Sequence, residues 1–225
     1  MNTNQGKVIS DRGLRRLPVI LGYLRDLRRA GEKTVSCTPL AEHIGCDATQ
    51  IRKDLAACGA VGKPRTGYDV EELLRLIEDF LGWNNTTEAF LAGAGNLGSA
   101  LLGFEKFRQQ QGLDIVAAFD TDPDKIGSEI YGREVLPLHK LPDLARRMRI
   151  LIGIVAVPGT SAQQVADAMI AGGIRAIWNF SPKNVQVPVH TVIEHANLSV
   201  SLGVLTAKLH QLLGDSRADS SSTRS

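Results

Sequence analysis

The sequence predicts an α/β chain in two parts, a helical head followed by a doubly wound parallel sheet, and three observations carry that reading. The first third of the chain is basic and the remainder acidic. The stretch LAGAGNLGSALL (91–102) sets Gly93-x-Gly95-x-x-Gly98 behind an apolar run. From Glu88 onward, strand-like and helix-like segments alternate, the pattern of a parallel sheet with crossover helices.

The bulk composition sets the outer bounds. With 225 residues, 43% of them hydrophobic and 22% charged, the chain has an ordinary globular composition. No apolar run reaches the roughly 20 residues that span a bilayer. The opening MNTNQGKVISDRG lacks the apolar core of a signal peptide, so a cytoplasmic protein without a membrane partner is expected. Cys37, Cys46 and Cys58 are odd in number and form no CxxC, which fits a reducing compartment and small core thiols. Residues 1–68 hold 12 Lys and Arg against 6 Asp and Glu, leaving 14 against 18 for the rest. A basic head on an acidic body is the footprint of a protein that meets phosphate at one end.

The elements follow in order. Leu17, Leu21, Leu24 and Leu27, with Ile20, recur at helical spacing, Pro18 suits a first turn and Gly31 a stop. A second helix opens near Ser36 or Thr38, carries Leu40, Ala41 and Ile44, and breaks at Gly45. Asp47 is a natural N-cap for a third, ATQIRKDLAACG, burying Ile51 and Leu55. AVGKPRTGYDV reads as a two-stranded wing, and Asp69 to Leu81 as a linking helix. The turn-rich GWNNTT marks the boundary, giving a DNA-binding domain over 1–82 and a nucleotide-binding domain over 86–196. There AFLAG is a strand feeding the glycines, Ser99 to Gln110 a helix, and DIVAAFD a strand ending on Asp120. REVLPL is a short strand, ILIGIVAVP a buried one, SAQQVADAMIAGG a helix and IRAIWNF a further strand. A C-terminal apolar helix is expected over 197–213, followed by a disordered tail over 214–225.

Two constellations carry chemistry. Ala41, Gly45 and Ile51 have helix-turn-helix spacing: a small residue where helices meet, a glycine for the turn, an apolar anchor. Thr49, Gln50, Arg52 and Lys53 then face outward, where Arg can read guanine and Gln adenine, while Lys63 and Arg65 on the wing reach phosphate. In the second, the three glycines serve a tight turn, the approach of a pyrophosphate and helix–strand packing. Asp120 closes the next strand at the distance of a ribose-binding acid, which favours NAD(H) over its 2′-phosphorylated form. No metal-ligand cluster stands out. His139, His190, His195 and His210 fall away from the strand ends at Val157–Gly159 and Asn179–Ser181, where a nicotinamide is expected, so no acid or base is in view and no catalytic residue is assigned. The alternatives are an NAD-dependent oxidoreductase with an accessory DNA-binding head, and a CoA-binding module, which Asp120 disfavours.

Together, LAEHIG, QIRKDL, TGYDV, GAGNLGSALL, DIVAAFDTDPDKIG, IVAVP and the NF-S-P run at 179–182 resemble the Rex family of redox-sensing transcriptional repressors, from Leu17 to Leu212. That resemblance implies a cytoplasmic homodimer with a winged-helix head, an NAD(H)-binding Rossmann domain and a C-terminal helix exchanged between subunits. It implies binding to palindromic operator DNA that NADH releases. It also implies that Gly93, Gly95, Asn96, Leu97, Gly98 and Asp120 hold the cofactor, with Val157, Pro158, Asn179 and Phe180 towards its nicotinamide half. Two positions depart from the family pattern. Phe104 stands where relatives commonly have tyrosine, and Asn197 where they usually have aspartate. Both positions, with an arginine matching Arg16, belong to the network that couples cofactor to DNA in the family. Arg16 is therefore expected to lack its anionic partner, and the switch to be weakened.

Overall fold

The structure is a computed structural model that describes the backbone of residues 9–222 and the side chains of 9–213. It divides into two compact units, one running to Thr86 and including Gln110–Gly112, the other holding the rest.

The first unit is built by helices α1 (Asp11–Arg29), α2 (Cys37–Ile44), α3 (Ala48–Ala57) and α4 (Val70–Leu81), with the short strands β1 (Thr34–Val35) and β2 (Tyr68–Asp69). Three of the helices begin on a side-chain cap. Ser10 Oγ accepts from Gly13 N, Asp47 from Thr49 N, and Asp69 from Glu72 N, so orphan amides at three N-termini are satisfied. Gly45 ends α2 in the left-handed region at φ 75°, where a side chain would be strained. The leucine stripe of α1 (Leu17, Leu21, Leu24, with Ile20) is wholly buried, together with Leu40, Ile51, Leu55 and Ile77. Pro18, expected in the first turn, is instead the eighth residue of α1, inside the helix. The wing differs from expectation. Lys63 and Gly67 share a single bridge, and the strand that follows pairs with β1 instead, Val35 opposite Tyr68. Gly67, at φ 84°, is pressed so close to the Val35 carbonyl that no side chain fits, so a glycine there lets the strand approach β1.

The second unit is a seven-stranded sheet: β3 (Thr87–Ala92), β4 (Leu113–Asp120), β5 (Glu129–Ile130), β6 (Arg133–Pro137), β7 (Ile152–Val155), β8 (Ala176–Asn179) and β9 (Val192–His195). The strands lie in the order β5-β6-β4-β3-β7-β8-β9, parallel throughout except for the antiparallel β5–β6 pair. The six parallel strands run 3-2-1-4-5-6 in chain order, the doubly wound arrangement with its reversal between β3 and β7. β3 alternates between two cores: Phe90 and Ala92 pack with Val155, Ala162 and Met169, whereas Ala89 and Leu91 pack with Leu101, Ile115 and Ile154.

Four expectations are corrected here. The helix expected over Ser99–Gln110 is two helices, α5 (Asn96–Leu102) and α6 (Lys106–Gln111). Gly103 caps α5 through its N–H to Ser99 O, and the Tyr131 ring fills the space where a side chain at 103 would sit. A helix α7 (Leu141–Met148) and the strands β5 and β9 were not foreseen; each spans eight residues or fewer, too few for periodicity to register. α8 (Gly159–Ala171) begins earlier than expected, directly after Pro158. Finally, α9 runs from Leu198 to Ser222, so backbone expected as a loose tail from 214 is helical to 222, since a formed helix extends at little cost per residue. Residues 223–225 lie outside the described residues. Among the described residues, no helix is long and apolar enough to cross a membrane.

Candidate cofactor and DNA-binding sites

The carboxyl ends of β3, β4, β7 and β8 bring four expected groups to one edge of the sheet: Gly93–Gly98, Asp120, Val157–Pro158 and Asn179–Phe180. Each glycine has a different constraint. Gly93, at φ 100°, donates its N–H to Phe119 O at 2.7 Å and lies so close to the Ala156 carbonyl that a Cβ would collide with it. Gly98 packs against the Gly93 carbonyl, again leaving no room for a side chain. Gly95 is the N-cap of α5, and a Cβ there would meet nothing within 4 Å. Its space is open, whereas the other two glycines are demanded by the fold itself. Asn96 and Leu97 are exposed in the first turn of α5, whose N–H groups have no carbonyl in their own helix.

Asp120 is bound into the loop. Its Oδ2 accepts from Ala94 N at 2.8 Å, and its Oδ1 from Thr121 N at 2.7 Å and Asp122 N at 3.0 Å. Lys125 Nζ stands 3.5 Å from Oδ2 and 3.2 Å from Asp122. Burial would raise the Asp120 pKa, but the N–H groups of Asp122, Ala94 and Thr121 and the Lys125 charge outweigh it, holding the carboxyl below the usual range. Three of its four partners are fixed backbone, and the fourth, the ammonium, stands at the limit of hydrogen-bonding range.

At the β7 and β8 ends the placements differ. Val157 is half-buried with its methyl against Gly93, Pro158 is exposed as the N-cap of α8, and Phe180 is half-buried with its ring 4.6 Å from that of Trp178. Asn179 is wholly buried. Its Oδ1 accepts from Ser181 N at 3.0 Å, and its Nδ2 donates to Lys183 O at 2.9 Å and faces His195 Nδ1 at 3.0 Å. It therefore shapes this end of the crevice instead of offering a surface. His195, set aside on sequence, lies directly opposite Asn179 in the β8–β9 register. The two are 16 residues apart, and pairing across an unforeseen strand left no local signal. The expectation that no histidine falls at the β8 end is thus corrected.

In the first unit, Thr49, Gln50, Arg52 and Lys53 are exposed along α3, and Lys63 and Arg65 are exposed on the wing. Arg52, Lys63 and Arg65 share a cavity of about 650 Å³ with the buried Tyr68, whose ring occupies the space that Gly62 leaves free. Gln50 and Lys53 line a second hollow, on the side towards Ile9 and Ser10. Arg65 holds a left-handed backbone at φ 64°, which turns the wing tip.

The coupling residues also bring a correction. Arg16 does have an anionic partner: its Nε donates to Asp54 Oδ2 at 2.7 Å and its Nη2 to Oδ1 at 3.1 Å, tying α1 to α3. The hydrogen bond and charge of Asp54 raise the Arg16 pKa. Asp54 lies 38 residues away on the buried face of α3, a pairing the fold creates. Phe104 is exposed and packs edge-on against Phe107 at 4.7 Å. Asn197 caps α9, its Oδ1 accepting from Ser199 N at 3.0 Å. Cys37 and Cys58 are buried and Cys46 half-buried, all as free thiols, and burial and then Asp54 push the Cys58 pKa up to about 11.

Comparison with known proteins covers both units. Residues 8–56 match the family model described as a putative DNA-binding protein N-terminus, and residues 84–183 the one described as a CoA binding domain. The second describes only the stretch from β3 to just past β8, whereas curated relatives extend over nearly the whole chain. The redox-sensing transcriptional repressor Rex of Carboxydothermus hydrogenoformans is 41% identical over 207 residues, 92% of this chain and 99% of that one. That of Bacteroides fragilis is 40% identical over 203 residues, 88% of this chain and 89% of that one. Among solved structures, the Rex-family repressor RSP with β-NAD⁺ and operator DNA superposes with a TM-score of 0.86 at 34% identity, covering 95% of this chain and 98% of that one. RSP with β-NADH gives 0.84 at 33%, covering 94% and 99%. The helix-turn-helix head, the doubly wound sheet and this end-to-end likeness agree: the chain belongs to the Rex family of redox-sensing transcriptional repressors.

Proposed function

We propose that this chain is a repressor that binds palindromic operator DNA through its first unit, binds NAD(H) through its second, and is released from DNA by NADH. The observation that carries this reading is a glycine loop at the sheet's reversal point that is closed at Gly93 and Gly98 and open only at Gly95. Such a loop admits a pyrophosphate against bare backbone. Asp120, at the end of β4, receives the adenosine ribose by displacing Lys125. Phe180, Val157 and Pro158 border the nicotinamide, and Asn179 holds the turn behind them.

In the head, Arg52 and Gln50 on α3 read bases, Thr49 and Lys53 flank them, and Lys63 and Arg65 neutralise phosphates from the wing. Arg16 fixes α3 on α1 through Asp54. Phe104 and Asn197 carry the family's coupling positions with neutral groups, so the response to NADH is shallower than in relatives with tyrosine and aspartate there.

The working form is a homodimer, supported by α9: Leu198, Leu202, Leu205, Leu209 and Leu212 are each more than half exposed in the single chain. So much apolar helix is stable only when covered, and a second copy exchanging the same helix covers it symmetrically. As a repressor the protein works in the cytoplasm, where its operator lies. No catalytic residue is assigned, and the relatives are repressors.

The test is binding to a palindromic duplex against a scrambled one, followed by fluorescence anisotropy. The palindrome binds tighter, and Arg52→Ala weakens it by about 1–3 kcal/mol. Equal affinity for both duplexes contradicts the reading.

A further inference from the structure

His195 stands in a network whose hydrogen-bond directions can be worked out atom by atom. Ser181 N–H can bond only to an acceptor, so the Asn179 atom 3.0 Å away is the carboxamide oxygen. The Asn179 nitrogen therefore points the other way, with one hydrogen on Lys183 O at 2.9 Å and the second towards His195 Nδ1 at 3.0 Å. Nδ1 must accept. Its ring is then neutral and carries its proton on Nε2. The same junction is tied through the backbone, Ala196 N donating to Asn179 O at 2.9 Å just before α9 begins. Ser181 Oγ adds a bond to Lys183 O at 3.1 Å, closing the turn that follows Phe180.

We propose that His195 is a pH-sensitive positioning residue for the cofactor site: neutral, it holds Asn179 and the Phe180–Lys183 turn in place, and protonated, it lets them go. Protonation puts an N–H on Nδ1 directly opposite the Asn179 N–H. Two donors then face each other, and Asn179 cannot turn its oxygen towards the ring without leaving Ser181 N facing a donor. The sign follows. Binding favours the neutral ring, so affinity for NAD(H) falls as pH falls.

The surroundings leave few rivals for this effect. β8 carries no ionisable side chain, and the turn carries Lys183, which enters the network through its carbonyl. On β9, Glu194 alternates to the opposite side of the strand from His195. α8 packs Gly159 against Pro182 and Lys183, and its one charged residue, Asp167, is held by Gln163. The first charged side chain of α9 is Lys208, three turns in.

The inference rests on the reading that the second unit binds NAD(H), and the test separates the two. NADH is titrated calorimetrically into the full-length protein from pH 8 to pH 6, in wild type, His195→Asn and His195→Leu. Wild type weakens by about three- to tenfold over that range, the worth of one hydrogen bond. In His195→Asn the side-chain oxygen supplies an acceptor near the place of Nδ1, so binding is rescued relative to His195→Leu while the pH profile flattens. Wild-type and His195→Asn profiles of equal slope overturn the inference and leave the cofactor reading standing. Absence of NADH binding by wild type at every pH overturns the cofactor reading and the inference with it. If His195→Leu fails to fold, the comparison of wild type with His195→Asn decides alone.

Discussion

The two units prepare their proposed functions in opposite ways. In the head, Thr49, Gln50, Arg52, Lys53, Lys63 and Arg65 all stand exposed, while the groups that hold their scaffold, Arg16 and Asp54, are drawn inside. In the sheet, the proposed site is itself built into the framework: Asp120 accepts three backbone N–H groups, and Asn179, which shapes the crevice, is wholly buried. A DNA surface needs mobile cations set on a rigid frame, because the phosphates supply the ordering. A cofactor crevice needs its polar groups fixed beforehand, because any reorganisation is subtracted from affinity. Substitutions in the head should therefore separate stability from DNA binding. In the sheet the two should move together, except at Gly95.

The largest effect falls on the frame of the head. Arg16→Ala strands the Asp54 carboxylate, whose side chain is 5% exposed, and should destabilise the head by about 3 kcal/mol. Thermal unfolding measures it. A loss under about 1 kcal/mol would show that water reaches Asp54 and that the pair is not structural.

Next come the glycines, which test whether the sheet's coupling of stability to binding has its one exception. Gly98→Ala forces a methyl into the Gly93 carbonyl, and should cost about 2–3 kcal/mol of stability together with NADH binding. Gly95→Ala should leave stability within about 0.5 kcal/mol and still weaken NADH at least tenfold, since the methyl fills space kept for pyrophosphate. Unfolding curves and calorimetry on both variants read the two effects. If Gly95→Ala binds NADH like wild type, the pyrophosphate does not approach there.

How much of this was legible in the sequence depends on the range of the interaction. Caps, turns and the glycine loop are written within a few residues, so Asp47, Gly45 and Gly93–Gly98 could be read directly. That the sheet is parallel and doubly wound followed from the alternation of segments. What escaped was set by distance along the chain or by brevity: the Arg16–Asp54 pair across 38 residues, the Asn179–His195 contact across 16, and β9, a four-residue strand in which only Ile193 and His195 are half-buried. Lys125 was readable in principle, because DTDPDK places it five residues after Asp120 in a tight turn.

A smaller effect concerns acid. The Asp120 pKa is lowered in the folded protein, so its contribution is complete above the unfolded value near 4 and is lost as pH falls through the folded one. Asp120→Asn should thus lose less stability than wild type on acidification below about pH 4, and should narrow the preference for NADH over NADPH at neutral pH. Parallel acid limbs for the two proteins would mean that the carboxylate does not fasten the loop.

The central claim is that one chain reads NADH and answers on DNA. It is tested most directly by titrating a labelled palindromic operator with the full-length protein at fixed salt, with no cofactor, with saturating NAD⁺ and with saturating NADH. The account predicts tight binding in the first two and a clear loss of affinity in the third, smaller than in the Phe104→Tyr, Asn197→Asp double variant. Operator affinity that is the same with NADH as with NAD⁺, in a protein shown to bind both, would contradict it.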